Sequence, residues 1–151
     1  MDSDQEDFLS YWFSGYAKGL EQMDDAAQEV LLRACGVACG QSYTIRVFQE
    51  AWANSANLDE FLIELSHKFP ASNYVRVAEN TIRISYTQCG CDLVRLGWVQ
   101  SPVQCKCSAF NLQQNFFHAL RQPVRVTCLS SILGGSKICE FEVSFSKETP
   151  A

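Results

Sequence analysis

From Asp4 to Leu20 the residues Phe8, Leu9, Trp12, Phe13, Tyr16 and Leu20 recur at helical spacing, which predicts a helix with one wide apolar face. Asp2, Ser3 and Asp4 are candidate caps for its first N–H groups. Met23-Asp24-Asp25 breaks the pattern and introduces a second helix, with Val30, Leu31 and Ala34 expected inward and Gly36 and Gly40 near its end. Third and fourth helices are predicted over 42–52 and 58–69, separated by Asn54-Ser55-Ala56-Asn57. Asn57 stands as an N-cap with Asp59 and Glu60 in the first turn, and Pro70 stops the helix.

The period then changes from helical to alternating. Val75 and Val77 alternate with Tyr74, Arg76 and Ala78, and Ile82, Ile84 and Tyr86 alternate with Arg83 and Ser85 across an Glu79-Asn80 turn, which predicts a hairpin. Phe110, Leu112, Phe116, Phe117 and Leu120 mark a helix over about 108–120, ended before Pro123. A second hairpin follows, with Val124, Val126 and Cys128 on one face of its first strand. Gly134-Gly135-Ser136 makes its turn, and Cys139, Phe141, Val143 and Phe145 line one face of its return strand. The expected fold class is α+β: N-terminal helices packed with an antiparallel sheet of two hairpins separated by a helix. One domain is expected over 1–151, helical over about 4–70 and sheet-containing over about 73–146.

Composition narrows the function. The chain is 47% hydrophobic and 19% charged, as in ordinary globular proteins, with a net charge of −5 and a pI near 5.0. No basic block is visible, so neither a nucleic acid nor a membrane is an expected partner. No apolar run approaches the roughly 20 residues of a spanning helix. The acidic start MDSDQED lacks the apolar stretch of a secretory signal, so a cytoplasmic location is expected. In a reducing compartment the eight cysteines are expected as thiols rather than as four structural disulfides.

Those cysteines are the main candidates for chemistry. Cys35 and Cys39 lie one helical turn apart, so their sulfurs can be neighbours, although both also suit small packing positions beside Ala34 and Ala38. Cys89-Gly-Cys91 follows a strand and Cys105-Lys-Cys107 precedes a helix, places where thiolates can converge on a soft metal or act in redox chemistry. Structural zinc more often takes Cys-x2-4-Cys spacing, and packing remains open for both pairs. Cys128 and Cys139 fall on the apolar faces of strands and read as core residues, with Cys139 able also to act as a ligand. His67 and His118 have no acid–nucleophile pattern near them, Ser130-Ser131 lacks a nucleophile elbow, and Gly134-Gly135 reads as a hairpin turn. Tyr86, Trp98, Phe110 and Phe117 flank the cysteine region and are the candidate lining of an apolar ligand cavity, packing being the alternative for each.

The stretch 101–145 resembles the 4-vinyl reductase domain. The shared pattern is a cysteine (Cys105 or Cys107), a helix over about 108–120, Pro123-Val124-Arg125-Val126, the turn at Gly135, and Cys139-Glu140-Phe141. Over the whole chain, Cys35/Cys39, Cys89/Cys91, Cys105/Cys107 and Ser131-Ile132-Leu133-Gly134 resemble a cysteine-rich bacterial branch of this hydrocarbon-binding group. The resemblance implies an α+β fold that binds small hydrophobic or aromatic molecules. In zinc-containing relatives the ligands are the pre-helix cysteine, an acid and a cysteine on the first strand, and the Cys-x-Phe cysteine. Carried over, these positions fall on Cys105 or Cys107, Cys128, Ser131 and Cys139, and the serine departs from the pattern. A related group is labelled thiazoline-carboxylate hydrolases.

The expected function is therefore a cytoplasmic, sensor-like domain that binds a small apolar or aromatic ligand beside a cysteine-held zinc. Cys105, Cys107 and Cys139 are the preferred ligands, with a fourth from Cys89, Cys91 or Cys128. A small hydrolase, or a thiol-redox or metal-dependent enzyme, is the alternative, and an iron–sulfur cluster is a further reading of the thiols. A homodimer is the assembly considered.

Overall fold

Asp2 starts the first helix, α1 (Ser3–Gln22), by accepting the Gln5 N–H at 2.9 Å while the Gln5 side chain accepts the Asp2 N–H at 3.1 Å, a reciprocal capping box. The computed structural model describes residues 1–145; positions 146–151 of the expected domain, including the end of its sheet part, lie outside the described residues. The helix falls where periodicity puts it, but its apolar face is largely uncovered. Only Leu20 is buried, while Phe8, Tyr11 and Trp12 are exposed. Periodicity reports that one face is apolar; it does not report what covers that face.

Asp24 caps α2 (Asp25–Cys39) by accepting the Ala27 N–H at 2.8 Å. Its buried face is Gln28, Leu32 and Gly36, not the expected Val30, Leu31 and Ala34; Val30 is 74% exposed. Gly36 lies in the last turn and Gly40 is the C-cap, as expected, but the chain does not turn away there. The chain continues through a five-residue π turn, Gly40–Thr44, directly into α3 (Ile45–Ala53). Gly36 is required by proximity. A Cβ there would sit 2.8 Å from the Cys107 carbonyl oxygen and 2.9 Å from the Phe110 Cβ, so only glycine lets α2 approach this closely. Asn111 spans the contact, donating to the Gly36 carbonyl and to Thr44 Oγ1, both at 3.3 Å. Thr44 donates in turn to Asn115 Oδ1 at 3.0 Å, so the polar groups buried beside the π turn are paired.

Asn57 caps α4 (Leu58–Lys68) as expected, accepting the Glu60 N–H at 3.0 Å. A sheet follows, β1 (Ser72–Ala78), β2 (Thr81–Tyr86), β3 (Val124–Ser130) and β4 (Cys139–Phe145), wholly antiparallel and ordered β1-β2-β4-β3. The two expected hairpins are present and join through β2 and β4. Pairs such as Ile82–Val143 and Ile84–Phe141 lie on the inner face, while Arg83 bridges Glu140 and Glu142 at 3.4 and 3.1 Å on the outer face. In β1 it is Tyr74 that faces inward, opposite Ile84, and Val75 and Val77 are exposed. Between the hairpins α6 (Cys105–Leu120) lies against α2, α3 and β3. Its Phe116 meets Phe48 of α3 and Phe61 of α4 edge-on, with centroids at 5.3 and 6.1 Å, and all three rings are buried. Burying each such side chain stabilises the fold by about 1.5–3 kcal/mol, so this cluster anchors α6.

Gly36→Ala is expected to destabilise the protein by about 1–3 kcal/mol, because the methyl group meets backbone rather than a movable side chain. Gly15→Ala in α1, which has open space, is expected to be neutral or to gain up to about 1 kcal/mol. Urea denaturation of the two variants checks both.

Candidate functional site: two thiol groups around α6

The segment between β2 and α6 carries one pair of cysteines and ends on another. Cys91 begins the short helix α5 (Asp92–Arg95) by offering its carbonyl to the N–H groups of Val94 and Arg95 at 3.1 and 2.9 Å. Gly97, at φ 82°, reverses the chain so that the Trp98 and Val99 N–H groups both reach the Leu93 carbonyl. A short 3-10 turn, Pro102–Gln104, then leads into α6. The connector is docked on α1: Trp98 stacks on Phe13 with centroids 5.6 Å apart, and the Tyr16 hydroxyl donates to Gln104 Oε1 at 3.2 Å.

Helix α6 begins at Cys105, three residues before the expected start, which places Cys105 and Cys107 within its first turn. Residues two apart on an α-helix point about 200° apart. The two thiols therefore face opposite sides, one toward the sheet end and one toward α2.

On the sheet side, Cys105 faces Cys89, Cys128 and Cys139. Burial pushes its thiol up, a hydrogen bond with Ser131 lowers it, and the neighbouring thiols raise it further. Cys139 is buried at the start of β4, where its sulfur accepts the Ile132 N–H at 3.3 Å. Cys89 and Cys128 are likewise raised, burial being the largest cause for each, and both face Cys139. Cys128 is exposed rather than in the core as its strand parity implied. It lies where β3, an edge strand, loses register before Ser130 and the inward–outward alternation fails.

On the helix side, Cys107 faces Cys35, Cys39 and Cys91, and its thiol is pushed up to about 12, first by burial and then by those three thiols. Cys39 is raised by burial and then by Cys91 and Asp92. The Tyr16 hydroxyl is pushed up to about 12 by burial, then by Cys35, Cys107 and Cys91. Tyr16 was not among the expected site residues. The spacing that reveals the division was present, since Cys-x-Cys inside a helix must diverge, but the helix start was placed too late to apply it.

Cys105 thus feels the thiols of the sheet side, Cys89, Cys128 and Cys139, and Cys107 those of the helix side, Cys35, Cys39 and Cys91, while Cys89 and Cys91 also influence each other. Of the preferred zinc ligands, Cys105 and Cys139 come together and Cys107 turns away. Among the described residues, no group of three or more His, Cys, Asp or Glu side chains is placed to hold a metal ion. The candidate aromatics lie in different places. Tyr86 meets Phe141 edge-on at 6.0 Å near Cys139, Trp98 lies on Phe13, Phe110 lies 4.4 Å beneath the Arg33 guanidinium, and Phe117 is exposed beside His118. Phe117 also lines a small cleft of about 180 Å³ with Arg33 and Pro123. A larger apolar groove of about 740 Å³, on the outer side of α2 along Ala26, Val30, Ala34 and Val37, includes none of the four.

A thiol whose pKa is higher in the folded than in the unfolded chain stabilises the fold only while it stays protonated there. For Cys107 the stability is fully present below its usual value of 9.0 and is lost as pH rises from there toward about 12. The urea midpoint is expected to fall between pH 8 and pH 11, and to fall less in Cys107→Ser; equal slopes would contradict this placement of the thiol.

No protein-family model matches the chain, and no curated protein does. Solved structures do. The chain is similar to the phenol-responsive sensory domain of the transcription activator PoxR in its complex with phenol, at 12% identity and a TM-score of 0.58, over 90% of this chain and 73% of that one. It is also similar to a trafficking protein particle complex subunit 3 from Naegleria fowleri covalently bound to palmitic acid, at 12% identity and a TM-score of 0.56, over 99% of this chain and 100% of that one. At these identities the likeness is one of fold: an α+β domain of helices on a four-stranded antiparallel sheet.

Proposed function

We propose that this chain is a sensor-like domain that binds a small apolar or aromatic molecule, with a zinc-class cation held by the sheet-side thiols. One observation carries the reading. Cys105 lies within electrostatic range of Cys89, Cys128 and Cys139, thiols carried by three other segments near the end of the sheet and the half-buried ring of Tyr86. Thiolates are soft donors suited to zinc, and a structural zinc site takes four. Ser131 lies beside Cys105 and lowers its thiol, which would favour the thiolate form a ligand needs. A cation there would join β2, α6 and the β3–β4 hairpin, fixing one wall of a ligand site against Tyr86 and Phe141.

The fold shared with a phenol-responsive domain and with a palmitate-bound subunit supports an apolar ligand for this architecture. Thiol-redox catalysis is less well supported. It draws on lowered thiol pKa values, whereas Cys39, Cys89, Cys105, Cys107 and Cys128 are all shifted upward. Nor does a catalytic dyad surround the histidines: His67 is exposed, 3.8 Å from Glu64, and His118 is set against Phe117. Among the described residues no helix is long and apolar enough to cross a membrane.

Phenol and palmitate are the first ligands to test by thermal denaturation. A ligand at a hundred times its Kd stabilises by about 2.7 kcal/mol, which for a domain of this size is a rise in Tm of about 5–10 °C. No shift with either, or with a series of phenols and fatty acids of intermediate size, together with no bound molecule in a native preparation, would sink the ligand reading.

A further inference from the structure

Neither the fold nor the proposed site accounts for the outer side of α1. We propose that two copies of this chain pair through it, α1 antiparallel to α1, with Phe8 and Trp12 of each copy seated over Gly19 and Gly15 of the other. The inference does not depend on which ligand or cation the domain binds.

Helix α1 is held to its own chain along one side only. Trp98 stacks on Phe13, Gln104 accepts the Tyr16 hydroxyl, and Gln28 Nε2 donates to the Leu20 carbonyl at 2.9 Å. Among the described residues no other helix or strand lies along it. At 3.6 residues per turn, Phe8, Trp12, Gly15 and Gly19 form a separate stripe, about 120° round the helix from that side. All four are exposed, as is Tyr11 beside them. The Trp12 ring is nonetheless held in place, stacked on Tyr16 at 6.2 Å and edge-on to Phe13 at 5.2 Å, so little of its freedom remains to be lost on pairing.

The two glycines have no purpose within one copy. A glycine inside a helix costs about 1 kcal/mol relative to alanine. Neither Gly15 nor Gly19 has a positive φ, and nothing lies within 4 Å of where a Cβ would stand on either. What they leave is bare helix surface onto which a large ring can settle. The spacing is self-complementary: Phe8 and Trp12 are four residues apart, and so are Gly15 and Gly19. In an antiparallel pair, setting Trp12 against Gly15 of the second copy therefore also sets Phe8 against its Gly19. The same patch serves both copies, as a two-fold interface requires.

Charge selects the direction. Asp2, Asp4, Glu6 and Asp7 precede Phe8, whereas α1 beyond Gly15 carries Lys18 and Glu21. A parallel pair would bring the two acidic ends together. An antiparallel pair separates them and lays Lys18 of each copy beside the acidic half of the other. Asp4, Tyr11 and Lys18, spaced by seven, border the stripe on one side, so the Lys18 ammonium meets the Tyr11 ring and the Asp4 carboxylate across the pair.

The area is that of a reversible dimer. Phe8, Tyr11 and Trp12 are 64%, 79% and 56% exposed, which leaves about 400 Å² of aromatic side chain on each copy. Patches of this size are often functional. It is about half of the roughly 800 Å² per partner of a standard interface, so an affinity in the micromolar range is expected.

Sedimentation equilibrium of the reduced full chain over about 1–500 μM, a range that brackets such an affinity, is expected to show a monomer passing to a dimer. Trp12→Ala is expected to weaken the dimer about tenfold or more. Gly15→Leu is expected to do the same while keeping the Tm of the monomer, because the new side chain meets open space in its own copy and the Trp12 ring in the other. Should Trp12→Ala fail to fold by circular dichroism, Gly15→Leu decides alone. Lys18→Glu is expected to weaken the antiparallel pair by making both meeting segments acidic; a dimer indifferent to it overturns the antiparallel arrangement. A monomer at every concentration overturns the proposal and leaves the stripe to a different partner. So does a dimer that Trp12→Ala and Gly15→Leu both leave unchanged.

Discussion

The contact between α2 and α6 at Gly36 is the constraint on which the rest of this structure depends. With no side chain at that position, the helices meet backbone to backbone, and a single methyl group would stand 2.8 Å from a carbonyl oxygen. The contact fixes the rotation of α6 about its axis. Once that rotation is set, Phe116 points at Phe48 and Phe61, Asn111 and Asn115 meet Thr44 at the π turn, and Cys107 is directed to the α2 cysteines while Cys105 is directed to the sheet.

The π turn belongs to the same arrangement. It lets one chain segment continue from α2 to α3 without a loop, so that both helices lie along α6. An extra residue in a helical turn shifts the faces that follow it. The buried Asn115 and Thr44 and the part-buried Asn111 satisfy one another there, which limits the cost of placing polar groups between helices. Cys105 and Cys107 leave the two flanks of this helix layer, and their upward-shifted pKa values follow from burial together with crowding by like groups.

Much of the fold was legible in the residues. The capping acid of α1, Asn57 before α4, both hairpins and the alternation of β4 all follow from local chemistry, because caps and strand parity act over a few neighbouring positions. What was not legible was which apolar face is covered. Val30 and Trp12 lie on faces that look like core yet are exposed, while Gln28 and Gly36 are buried, because a partner helix distant in sequence selects the face. The site was legible as a set of residues but not as a grouping. Cys105 and Cys107 read as one chelating pair until the helix start is known, and Cys128 reads as core until the loss of register in β3 is seen.

The sequence by itself determined an α+β chain, its capped helices and hairpins, and the concentration of its chemistry in eight cysteines. These are local properties, fixed by periodicity, turn residues and composition. Only the tertiary structure decided that Cys105 and Cys107 turn to opposite sides of α6 and meet different thiols. The reason is geometric for Cys105 and Cys107: a helix turns its residues through about 100° per position, so two thiols one residue apart serve opposite faces, and which neighbours occupy those faces is set by packing across the whole chain.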